Sequence, residues 1–322
     1  MRANKKLLAS FAVLALAFAY LAAGYARRYT LAGPTLVCIY LSLLLLLALV
    51  LVPGFVKEAP TLLRRFSYGT LALWCAPYLI YAAGTGDFRT SALLKLVTIA
   101  GAIWAIYCIV PVRERAVLTW QDGAAAALLV GFTLSGQLRG IWNVPVNLDF
   151  MGRLFLIAVA AWSWMYLRPV PGLGYDFAVS RRIAGQAALN FLYFAPLAIP
   201  ASLAMHFTKW NPRWHGIPAF CFDYLEIFLF VALLEELFFR GFLQNLLSRR
   251  LHSWVAGQAI VSCLFGLFHI LHAPFPNWRY VALATVAGWF YGSAYRKTGS
   301  LVASALTHAA VDTVWRTWFS AR

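Results

Sequence analysis

Charge is what this sequence has least of. Asp, Glu, Lys and Arg together make up 12% of its 322 residues, against roughly 25% in soluble globular domains, which argues against a water-facing surface around a single core. Acidic residues are scarcer still, with 11 Asp and Glu against 27 Lys and Arg. Cysteine is limited to Cys38, Cys75, Cys108, Cys221 and Cys263, far apart and without a C-x-x-C pair. That spacing supports neither a disulfide framework nor a cysteine metal site. The H-E-x-x-H pattern of helical zinc hydrolases is missing, and no internal repeat is evident.

Apolar residues take the space instead. They make up 62% of the chain, with a mean hydropathy of +0.72. Lipid offers the backbone no hydrogen-bond partner, so a crossing segment must be a helix of about 20 mainly apolar residues. Runs of that kind fall at 7–24, 31–53, 67–84, 93–111, 123–141, 151–167, 184–206, 220–243, 253–272, 280–296 and 301–319. The expected fold is all-α, a polytopic transmembrane helical bundle of about eleven spans. Residues 1–26 also have the basic start and small residues of a signal peptide, but with so many further runs a retained first helix is the better reading. The net charge of +16 sits in short loops between apolar runs rather than in one stripe. It therefore points to membrane-flanking positions and not to nucleic acid. Alternate loops, including Arg181, Arg182, Arg249, Arg250, Arg296 and Lys297, gather the larger share of positives, which favours a cytoplasmic N-terminus; the expected location is a bacterial inner (plasma) membrane.

The segment "RPVPGLGYDFAVSRR", Arg168 to Arg182, is the clearest polar interruption. It divides an N-terminal multi-span region, 1–180, from a second region, 181–322. Upstream, Glu58, Asp87, Glu114, Asp122 and Asp149 stand near span ends, where solvent reaches them. Downstream, ionisable residues enter the apolar runs themselves: Glu235, Glu236 and Arg240 in "VALLEELFFRGF", His269 in "FGLFHI", His308 and Asp312 in "LTHAAVDT". Each costs several kcal/mol in hydrocarbon unless it faces a bundle interior or water. The aromatic loop "FTKWNPRWHGIPAF", Phe207 to Phe220, reads as an interfacial anchor.

Helical spacing pairs some of these groups. Glu236 and Arg240, and His308 and Asp312, stand four apart and share a face. Glu235 is turned away from Glu236 and can point at another helix. Plain structural readings exist for each piece, as ion pairs that tie helices together or as a satisfied core histidine. A chemical reading takes them jointly: a carboxylate and an imidazole hold one water, and a second polar pair steadies the oxyanion formed when that water attacks a carbonyl. A reading of another class is a non-enzymatic transporter or scaffold, in which Glu235, His269, His308 and Asp312 form a proton or substrate relay.

The three pieces in order, E-E-x-x-x-R (Glu235, Glu236, Arg240), F-x-x-x-H (Phe265, His269) and H-x-x-x-D (His308, Asp312), resemble the motifs of the CAAX-protease and bacteriocin-processing family of intramembrane endopeptidases. The resemblance covers about residues 181–322. It implies a glutamate-type peptidase acting on a membrane-anchored protein or peptide, with Glu235 activating water beside His269. It further implies that Glu236 and Arg240 orient the site and that His308 with Asp312 stabilises the tetrahedral intermediate. Many members carry asparagine at the position of Asp312. An ionised aspartate only accepts hydrogen bonds, so Asp312 either is protonated or orients His308, whose imidazole then donates. The expected cofactor is none. The metal-dependent alternative would use zinc on Glu235, His269 and His308.

Overall fold

The structure, a computed structural model, describes residues 2–29, 33–56, 67–109 and 112–321. Lys57, Glu58, Arg64, Arg65 and the end of the run expected at 93–111 lie outside the described residues. Among the described residues the chain forms 11 helices. These are α1 (Arg2–Tyr29), α2 (Gly33–Phe55), α3 (Ser67–Thr85), α4 (Thr90–Ile109), α5 (Trp120–Leu134), α6 (Phe150–Leu167), α7 (Arg181–Ala204), α8 (Ile217–Arg250), α9 (Trp254–Leu267), α10 (Trp278–Thr298) and α11 (Leu301–Trp318). The all-α expectation needs one amendment, an antiparallel ribbon of β1 (Thr208–Trp210) and β2 (Phe319–Ala321).

Among the described residues 5 helices are long and apolar enough to cross a membrane: α2, α4, α6, α7 and α8. The other expected spans fall on helices that are shorter or more polar. Helix α9, with 14 residues, is about 21 Å long, short of the roughly 30 Å hydrocarbon layer. Helix α5 stops at Leu134 instead of running to 141, because Gly136 and Gly140 take left-handed conformations with φ of 65° and 72°.

The chain divides into two compact units, one of residues 1–115 with 119–169 and one of residues 116–118 with 170–322. The first contains a correction. Asp122, expected at a solvent-reached span end, is fully buried and gripped by the fork of an equally buried Arg168, with Nε to Oδ1 at 3.0 Å and Nη2 to Oδ2 at 2.9 Å. Thr119 donates its backbone N–H and hydroxyl to Oδ2 at 3.0 Å each, so the carboxylate also caps α5. Supplied with this many donors, the charge survives burial.

The second unit packs α7, α8, α9 and α11 around α10, and its core runs through Phe194, Phe239, Val261, Phe265 and Tyr291. Small residues let these helices approach closely. A Cβ on Gly266 of α9 would stand 2.0 Å from Thr285 Oγ1 on α10, and one on Gly292 would stand 2.6 Å from Gln244 Oε1. The aromatic loop is the ribbon's first strand and its neighbours. The Trp318 ring lies between Trp210 and Trp214, 5.7 Å from each and nearly parallel to both. Arg316 adds ion pairs to Glu226 at 2.7 Å and Asp223 at 3.5 Å, tying the end of α11 to the start of α8.

Candidate active site

Helix α8 is not a regular α-helix where its charges sit. Residues Leu233–Glu236 are α-helical, but the flanking Phe228–Ala232 and Leu237–Gln244 have i→i+5 bonding. Such widened turns recur at functional sites, where they re-aim side chains. Here they bracket the glutamate pair.

Glu236 and Arg240 both have side chains with 0% exposure, and Arg240 Nε lies 3.2 Å from Glu236 Oε2. Arg240 Nη1 donates to Oε1 at 3.2 Å. Burial of this pair requires further partners, and α11 supplies two of them. His308 Nδ1 donates to Glu236 Oε1 at 2.8 Å, and the Ser304 hydroxyl donates to Oε2. The Arg240 guanidinium also donates from Nη2 to Gly288 O at 3.0 Å and lies over the Phe265 ring, 4.5 Å away in cation–π contact.

Glu235 and Asp312 are the open carboxylates of the cluster. Their side chains are 33% and 40% exposed, and they stand 4.0 Å and 3.5 Å from His308 Nε2. His308 is therefore surrounded: Nδ1 faces Glu236, Nε2 faces Asp312 and Glu235, and its ring lies flat on Tyr291 at 4.5 Å. An imidazolium satisfies that pattern with an N–H on each side.

His269 stands apart on the chain but joins the cluster through Phe265. It lies just past the end of α9, which stops at Leu267 rather than continuing to 272. Phe268 caps the helix, and Pro274 and Pro276, which lack an N–H for a helical ladder, follow. His269 Nδ1 is 2.8 Å from Phe265 O. A carbonyl only accepts, so Nδ1 carries the hydrogen and the neutral ring presents its lone pair at Nε2. Phe265 thus serves three partners, with its carbonyl on His269, its ring face on Arg240 and a T-shaped ring contact with His308 at 5.8 Å.

The structure brings Glu235, Glu236, Arg240, Phe265, His308 and Asp312 into one cluster, and His269 borders it. Sequence reading missed Ser304, Tyr291 and Tyr280. Ser304 was detectable, because Ser304, His308 and Asp312 repeat every fourth residue along one face of α11. Among the described residues no group of His, Cys, Asp or Glu is placed to hold a metal ion. The set Glu235, His269 and His308 is not brought together as such a group.

No curated protein and no solved structure matches the chain. Residues 217–314, from the start of α8 through His308 and Asp312 on α11, match the family model of the type II CAAX prenyl endopeptidases, Rce1-like. Over the segment that carries the buried charge cluster, the chain resembles the CAAX prenyl endopeptidases.

Proposed function

We propose that this chain is an intramembrane endopeptidase that hydrolyses a peptide bond in a membrane-associated protein or peptide. The observation that carries the reading is the division of labour within the glutamate pair. Glu236 is sealed and fully engaged, whereas Glu235 keeps a third of its side chain open, 4.0 Å from His308. An open carboxylate among buried cations and imidazoles is placed to take a proton from water.

In this mechanism Glu235 accepts the proton as water attacks the scissile carbonyl, and the His269 lone pair helps hold that water. His308, oriented by Asp312 and fixed by Glu236, donates through Nε2 to the developing oxyanion. Glu235 then returns the proton to the leaving amine. Glu236, Arg240 and Phe265 position these groups. No step runs through a metal, and full activity after exhaustive chelation is the expected outcome. Loss of activity restored by zinc would overturn that part.

Residues 181–322 carry the protease core in this reading, and residues 1–180 are a separate membrane region. In this reading the helices form about eleven spans of the bilayer, taken to be a bacterial inner membrane. The test in cells compares protein termini in membranes bearing the parent chain with those bearing Glu235→Gln. Termini that appear only with Glu235 identify the substrate; identical sets of termini would refute the peptidase reading.

A further inference from the structure

Helix α10 contributes two tyrosines to the site. Tyr291 lies flat on His308 with ring centroids 4.5 Å apart, and Tyr280 packs against His269, also at 4.5 Å. They stand about three turns apart and so share one face of the helix. Buried tyrosine hydroxyls usually have a hydrogen-bond partner. No hydrogen bond of either hydroxyl is formed among the described residues.

Tyr280 is the better placed of the two. Its ring is held by His269, by His272 at 5.0 Å and by Phe207 at 5.1 Å. Its backbone N–H donates to Asn277 Oδ1 at 3.0 Å, and Asn277, itself buried, donates its side-chain amide to Ala273 O at 3.2 Å. The position is fixed while the hydroxyl stays unused. Tyr291, by contrast, is pinned beneath His308 with Arg240 5.4 Å from its ring.

The site also lacks a donor that Tyr280 can supply. His308 gives Nδ1–H to Glu236, and its Nε2 already faces the oxygens of Asp312 and Glu235. An ionised Asp312 has no hydrogen to give. An oxyanion between them would share a single N–H with two carboxylates.

We propose that Tyr280 is a catalytic residue whose O–H donates the second hydrogen bond to the oxyanion, opposite the His308 Nε2–H. This rests on the peptidase reading above. The phenol keeps its proton throughout. Water loses one to Glu235 as its oxygen bonds to the carbonyl carbon, the carbonyl π pair moves to the oxygen held by Tyr280 and His308, and collapse expels the amine, which takes the proton from Glu235.

The test uses the purified full chain in lipid nanodiscs, a farnesylated CAAX peptide as substrate and a phosphinate analogue of that peptide as tetrahedral mimic. For Tyr280→Phe, kcat should fall about 10²–10³-fold, with KM changed less than about threefold. Phosphinate affinity should fall in step while thermal unfolding is unchanged. A kcat within about threefold of the parent overturns the assignment. So does a fall in kcat with undiminished phosphinate affinity, which would mark a positioning role. A parent chain that cleaves neither this peptide nor any protein in the comparison of membrane termini overturns the underlying peptidase reading, and the Tyr280 role with it.

Discussion

Two adjacent glutamates on one helix have opposite fates. Glu236 is surrounded by Arg240, His308 and Ser304, so its loss leaves buried donors without an acceptor. Glu236→Ala should destabilise the chain by about 3–5 kcal/mol, the cost of breaking a buried charge pair by removing one partner. Glu235→Gln, at a part-exposed side chain, should cost less than about 1 kcal/mol. Thermal unfolding of both variants in the same detergent checks the contrast, and equal losses would contradict it. Ser304→Ala falls between them, at about 1–3 kcal/mol for a buried carboxylate deprived of one donor.

At the scale of elements, the site depends on how closely α9 and α10 meet. Gly266 lets the helices touch, since its missing Cβ would lie 2.0 Å from Thr285 Oγ1 and 2.6 Å from the Val281 carbonyl. Val281 neighbours Tyr280, and Phe265 precedes Gly266. Gly266→Val should therefore destabilise the fold by about 1–3 kcal/mol through overpacking and lower activity by pushing Tyr280 and Phe265 apart. Unchanged unfolding and turnover would contradict that packing. The i, i+4 pairs Glu236–Arg240 and His308–Asp312 were legible in sequence because helical periodicity alone fixes which residues share a face. Links between helices were not. Aromatic residues are so abundant here that Tyr280 and Tyr291 carry no signal until α10 is placed against both histidines. The buried state of Asp122 depended on Arg168, a partner far along the chain. The ribbon of β1 and β2 escaped for the same reason, since its strands are short and distant in sequence.

Across the whole molecule, helix count and apolar length proved separable. Composition made a helical membrane protein legible, but it did not separate, among the described residues, the 5 helices long and apolar enough to cross a membrane from the others. Arg250 ends α8 and Lys297 lies in the last turn of α10, at the helix ends whose positive charges favour the cytoplasmic side, while Trp214 lies in the aromatic loop at the other end of α8. In a background without the exposed Cys108, Cys221 and Cys263, cysteines at 250 and 297 should react with an impermeant reagent only from the cytoplasmic side, and one at 214 only from the opposite side. Labelling of all three from one side would refute the arrangement. The most direct measurement is cleavage of a farnesylated CAAX peptide by the purified chain in nanodiscs, parent against Glu235→Gln, with unfolding followed in both. The expected result is a fall in kcat of at least about 10²-fold for loss of the general base, at unchanged thermal stability. Turnover by Glu235→Gln at the parent rate would contradict the assignment.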